Sequence, residues 1–238
     1  MFVEKLRNTR RAAAASLVMA ALPILLSSAS AQAASIVIDE AEMTAIFSQA
    51  SFGDTPISIR FNPPEQIVAP QLLDINTVAD LQALYSLAPD PAPTVDAFFV
   101  DQLDACVNVE PTVSGRFAGC AQLPGHIFVE ESDAAEMPPG PLMGHELGHN
   151  LNLEHQIPGS STNLMAPFFP PGPDVTEDQV AIMLQSPLVQ TDSTGQRFIA
   201  ITPIAIVGVP EPSTLLLLGA ALGALLIVNR TIRARSRE

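Results

Sequence analysis

The sequence predicts an α+β domain held between two targeting segments. Three observations carry this. Short β-branched or alternating runs at Ser35 to Ile38, Ile57 to Phe61, Thr94 to Val100 and His126 to Val129 have the composition of strands. Between them, Asp39 to Phe52, Asn76 or Thr77 to Leu87, and Thr176 to about Gln185 place apolar residues at helical spacing. The two ends of the chain follow neither pattern, each combining an apolar run with a cluster of arginines.

The leader, residues 1–34, carries Lys5, Arg7, Arg10 and Arg11, then an apolar run from Ala12 to Leu26, then Ala31-Gln32-Ala33. This is the order of a secretory signal cut by signal peptidase after Ala33 or Ala34; the competing reading is an uncleaved anchor. The domain that follows spans residues 35–189. Its first helix is expected from Asp39, a capping residue with Glu42 three positions on, and turns Met43, Ile46, Phe47 and Ala50 to one side. Residues 62 to 75 carry no clear period. The second helix presents Val78, Leu81, Leu84 and Tyr85, and the stretch from Cys106 to Cys120 reads as a loop or hairpin with Gly115 and Gly119. Pro124-Gly125 turns the chain into the His126 strand. The acidic run from Glu130 to Glu136 reads as a solvated loop and leaves a Ca2+ site open, with no second feature to support it. Thr176 and Gln179 form a capping box for the last helix, whose Val180, Ile182 and Met183 face inward. Residues 190–209 read as a strand-like linker or stalk.

The chemistry concentrates in His145-Glu146-Leu147-Gly148-His149. Four residues apart on a helix, His145 and His149 share one face and suit one Zn2+ ion, with Glu146 beside them as a general base. His155 would point away on a continuous helix, so the chain must turn first, and Asn152 tolerates the left-handed conformation that such a turn needs. Three neutral imidazoles and a water make an open catalytic zinc site. Ser160-Ser161-Thr162-Asn163-Leu164-Met165 follows ten residues after His155. In these residues the chain resembles the metzincin metallopeptidases, with their His-Glu-x-x-His-x-x-Gly-x-x-His helix and downstream Met-turn. Asn152 departs from the usual Gly of that pattern. The resemblance implies a mixed twisted β-sheet with an N-terminal helix, the active-site helix, the Met-turn and a C-terminal helix, Met165 being the floor beneath the metal. It also implies that the last strand before the active-site helix is a sheet edge lining the cleft. Gly125, His126, Ile127, Phe128 and Val129 are the candidate for that edge, where an extended peptide substrate would pair. The tyrosine that some metzincins carry two residues past the Met is replaced by Pro167, and Tyr85 is the sole tyrosine.

At the other end, Pro210-Glu211-Pro212 precedes an apolar run, Leu215 to Val228, and then Arg230, Arg233, Arg235 and Arg237. Residues 210–238 resemble the PEP-CTERM sorting signal of Gram-negative bacteria. That resemblance implies exosortase as a processing enzyme, transient residence of segment 215–228 in the inner membrane, and delivery to the cell surface or extracellular matrix. A permanent single-pass anchor is the alternative. Export makes a Cys106–Cys120 disulfide reasonable. Closing a loop of about 15 residues would contribute about 3 kcal/mol in the chain-entropy model. A Cys-Cys-His metal site, the competing reading, lacks ligand spacing.

The whole chain has a net charge of −14, and residues 35 to 209 hold only Arg60, Arg116 and Arg197 as basic side chains. That excludes nucleic acid as a partner. The expected function is an exported zinc-dependent endopeptidase. The rival reading is a non-catalytic zinc-containing surface or extracellular-matrix protein, which would have no use for Glu146.

Overall fold

A computed structural model of the chain describes residues 33–107, 116–136, 139–156, 160–209 and Gly219. The expected signal peptide up to residue 32, and the sorting tail 210–238 apart from Gly219, lie outside the described residues. Among the described residues no helix is long and apolar enough to cross a membrane.

Five α-helices and nine strands make up the described fold. Helix α1 (Glu40–Ile46) is capped by Asp39, whose carboxylate accepts from the Glu42 N–H at 2.8 Å. A short 3-10 turn, Ala50–Phe52, follows it, so the expected helix to Phe52 is broken in two and Ala50 is exposed. Strands β1 (Ile57–Phe61), β2 (Glu65–Val68) and β3 (Asp74–Ile75) come next. Thr77 and Asp80 form a reciprocal capping box for α2 (Val78–Tyr85), which buries Leu81 and Leu84. Strands β4 (Val95–Val100), β5 (Gln102–Leu103), β6 (Gly119–Ala121) and β7 (Ile127–Glu131) lead into α3 (Ser132–Ala135) and α4 (Pro139–Asn150). The last elements are α5 (Glu177–Met183), capped by Thr176 and Gln179 as expected, then β8 (Gln190–Thr191) and β9 (Arg197–Val207).

The main sheet is mixed, in the order β1-β9-β4-β7-β6, with β2 and β8 also paired to β9. Strands β1, β2 and β4 run parallel to β9, and β7 runs parallel to β4, whereas β6 is antiparallel to β7. Strand β4 is buried along its whole length. Val95, Ala97 and Phe99 join a core with α1, α4 and α5, while Phe98 and Val100 join a second core with α2. A strand covered on both faces reads as an unbroken apolar run, because its alternation has no wet side.

Three expectations are overturned here. Ser35 to Ile38 is irregular and packs on the core without pairing; Ala33 bridges to Val207 and the Ala34 N–H donates to Ile206 O at 3.0 Å. The expected linker 190–209 contains β9, the centre of the sheet, with Ile199, Ile201, Ile204 and Ile206 each fully buried. Proline in a central strand removes a ladder donor, so Pro203 needs a position where that donor is not used. The register resolves the conflict. Asn62 N–H donates to Ile201 O and Ala69 N–H to Val207 O, so odd-numbered residues of β9 turn their amides towards β1 and β2. Pro203 therefore falls between the β1 pairing, which ends at Ile201, and the β2 pairing, which starts at Ile204. The acidic run is not a loop either. Glu130 and Glu131 lie within β7 and are buried, and Ser132–Ala135 is helical. Successive strand residues face opposite sides of the sheet, so these carboxylates do not converge into a calcium cradle.

Candidate metal centre

Helix α4 is fixed at both ends before it presents its histidines. The Gly140 N–H, one of the unpaired donors of its first turn, donates to Glu42 Oε2 of α1 at 3.1 Å. The buried Asn150 amide donates to Gln122 O at 3.0 Å and to Ile127 O at 3.1 Å, holding the other end against β6 and β7. The helix closes as expected at Asn152, whose φ of 72° makes it the one non-glycine residue in the left-handed region among the described residues. Leu153 N–H donates to Gly148 O and Asn152 N–H to His149 O, both at 2.9 Å. This is a Schellman closure with Asn where Gly is usual, and it seats the apolar Leu153 in the core. The chain then swings back and brings His155 over the helix.

The three imidazoles meet at one point. The Nε2 atoms of His145, His149 and His155 are each 3.2 Å from the other two. Four ligands at about 2.0–2.1 Å in a tetrahedron have edges of about 3.3–3.4 Å, so the triangle has the size of one face of such a site. The tautomers follow from the outer nitrogens. His145 Nδ1 lies 2.6 Å from Leu164 O and His149 Nδ1 lies 2.7 Å from Leu153 O. A carbonyl can only accept, so each Nδ1 carries the proton and each Nε2 points a lone pair inward. Burial holds His145 down at about 3 and His149 at about 4, and lowers His155 as well, so the first two are neutral at pH 7. Converging lone pairs at this distance repel one another unless a cation lies between them. These three histidines could hold a metal ion.

Glu146 lies beside them, 4 % exposed, and burial pushes its carboxyl up to about 8. Met165 is fully buried under α4; a Cβ on Gly148 would come within 2.5 Å of its sulfur. The turn that carries Met165 is held by a pair the sequence did not disclose. Asn163 and Gln179 exchange two amide hydrogen bonds at 3.0 Å, and Asn163 Oδ1 also accepts from the Met165 N–H at 2.9 Å. Gln179 thus caps α5 and fastens the turn at once. Its place in a capping box was legible, whereas its second partner was not.

A cleft of about 660 Å³ opens over the histidines. Gly119 and Ala121 form one wall, and Ala166, Pro167, Phe168 and Phe169 form the other. The expected edge strand, Gly125 to Val129, is not that wall. Strand β7 is interior, paired to β4 on one side and β6 on the other. His126 lines a separate depression with Asn150 and Leu188. The edge is β6, a three-residue strand too short to carry a period of its own. Its hydrogen bonds show which amides are free. Glu131 N–H donates to Ala118 O and Gln122 N–H to Ile127 O, so the alternate residues Gly119 and Ala121 turn their backbone groups away from β7 and along the cleft. Two features hold β6 from behind. Cys106 and Cys120 are joined in a disulfide, as expected from the compartment, and Tyr85 donates its hydroxyl to Cys120 O at 2.9 Å.

Residues 208–231 match the PEP-CTERM protein-sorting motif. The chain therefore carries the mark of an exported protein handled by exosortase, and that motif begins directly after the last residue of β9. No curated protein and no solved structure matches the chain.

Proposed function

We propose that the exported domain is a zinc-dependent endopeptidase of metzincin type. The observation that carries this reading is the set of three inward Nε2 lone pairs at 3.2 Å beside a buried Glu146, at the floor of a cleft with a free strand edge. The donor set fits zinc: three imidazoles, no fourth protein ligand among the described residues, and room above them. Imidazole also suits copper, nickel and iron, so metal analysis decides the ion. When bound, zinc supplies Lewis acidity that polarises the scissile carbonyl and acidifies a water.

The chain's own residues do the rest. An extended peptide adds to β6 through the outward N–H and C=O groups of Gly119 and Ala121, which fixes the scissile bond over the histidines. Phe168 and Phe169, 64 % and 48 % exposed, offer an apolar wall to a substrate side chain. Glu146 takes the proton of the attacking water and passes it to the departing amine. With Pro167 past the Met-turn and Tyr85 turned to Cys120 O, no tyrosine among the described residues assists the oxyanion. The test is metal content of the purified exported protein, followed by peptide cleavage with and without chelator. Cleavage that stops with chelation and returns with zinc supports the reading. Metal-loaded protein that cleaves no member of a peptide library favours the non-catalytic alternative.

A further inference from the structure

The general base of the proposed reaction sits in a place made by two residues of the adjacent strands. Gly119 of β6 and Glu130 of β7 face each other in the antiparallel register. Because the flanking pairs are the hydrogen-bonded ones, this is a closely spaced pair, with Cβ positions about 4.5–5.5 Å apart on one face of the sheet. That face carries α4. A Cβ on Gly119 would lie 2.4 Å from Glu146 Oε1, 2.6 Å from its Cδ and 2.7 Å from its Cγ. The Glu146 carboxyl therefore occupies the volume that a side chain at 119 would fill, directly beside the base of the Glu130 side chain.

Glu130 is fully buried, and among the described residues neither of its oxygens has a hydrogen-bond partner; Glu146 Oε2 is likewise buried without one. No ion pair among the described residues offsets this. Arg116 pairs with Glu131, which faces the opposite side of the sheet, and Arg60 pairs with Asp192. A carboxyl fully buried without a partner keeps its proton, because burial penalises the charged form. Burial first, and then the charge of Glu146, raise Glu130 well above the usual carboxyl range.

We propose that Gly119 and Glu130 together seat the general base: Gly119 leaves the space that the Glu146 carboxyl fills, and Glu130, as a carboxylic acid, donates its hydroxyl to Glu146 Oε2 so that Oε1 faces the cleft. Glu130 is a positioning residue and does not touch substrate. The assignment rests on the peptidase reading for its consequence, but the proton on Glu130 can be measured without turnover.

The experiment uses the mature exported protein, zinc-loaded, as wild type and as Glu130→Gln, Glu130→Leu, Glu146→Gln and Gly119→Ala. Infrared difference spectra of wild type minus Glu130→Gln should contain one protonated-carboxyl band at neutral pH, the subtraction cancelling other buried acids. That band should persist in Glu146→Gln. In peptide cleavage, Glu130→Leu should lower kcat on the order of 100-fold with KM and zinc content unchanged, the cost of a misplaced group. Glu130→Gln, which still donates to Oε2, should recover most of kcat. Gly119→Ala should keep zinc and lose kcat. An absent difference band, or a Glu130→Leu protein with wild-type kcat, overturns the seat. If wild type cleaves nothing, the spectra still decide Glu130, and the failure belongs to the peptidase reading alone.

Discussion

At the scale of single residues, the convergence of the three histidines was almost wholly legible, because its geometry is local. The spacing of His145 and His149 fixes a shared helix face, and only one turn separates them from His155. Asn152 was named for that turn because its side chain tolerates a positive φ, and the φ of 72° follows. What the sequence withheld were partners from distant segments, such as Leu164 O on His145 and Gly119 beside Glu146. The protonation states lead to a testable expectation. His145 and His149, held at about 3 and about 4, have no proton to release at pH 7, whereas Glu146, at about 8, holds one in the metal-free domain. A bound dication favours the carboxylate, so zinc binding at pH 7 should expel about one proton from the Glu130–Glu146 pair. Calorimetry in buffers of different ionisation enthalpy measures this. Wild type should release the proton and Glu146→Gln should not; zinc uptake without proton release in wild type would contradict the assignment.

At the scale of elements, those with a period and a cap were found, and those that owe their existence to pairing were not. The helices α1, α2 and α5 announced themselves through Asp39, Thr77 and Thr176. Strands β2 and β6 are four and three residues long and show no alternation to read. Taking β7 as the edge was an error of the same kind, since nothing in residues 125–129 reveals that β6 will lie outside them. Strand β4 hides a further feature. Asp96 is fully buried at its start, with Oδ1 unpartnered and Oδ2 accepting from the Asp90 N–H at 3.3 Å. Burial, then the charges of Asp90 and Glu65, push its carboxyl up to about 7, against the pull of the Asp90 N–H. A raised folded value means the associated stability is fully present below the unfolded value near 4 and is lost as pH rises through 7. Asp96→Asn keeps an acceptor for the Asp90 N–H and removes the buried charge. It should raise Tm by on the order of a few degrees at pH 8 and have little effect at pH 5. Equal shifts at both pH values would count against a buried ionised Asp96.

At the scale of the molecule, the last strand of the domain is its middle. Strand β9 joins β1 and β2 on one side to β4 and β8 on the other, and the sorting motif starts at residue 208, right after it. Its apolar run lay beside a targeting tail, and that neighbour disguised a core strand as a stalk. The sheet cannot close until this strand is present, so a chain ending before Arg197 should fail to fold or hold zinc, while a chain ending at Val209 should do both. Circular dichroism and metal analysis of the two truncations check this; a folded, zinc-bearing short chain would contradict the central place given to β9. The central claim is that three histidines hold the metal and Glu146 performs the proton transfer. The most direct measurement compares wild type with Glu146→Ala for zinc content and peptide hydrolysis on the same preparations. The account predicts one zinc per chain in both proteins, with hydrolysis in wild type alone, down by on the order of 100-fold or more in the variant. Wild-type turnover by a folded, zinc-loaded Glu146→Ala protein would contradict it.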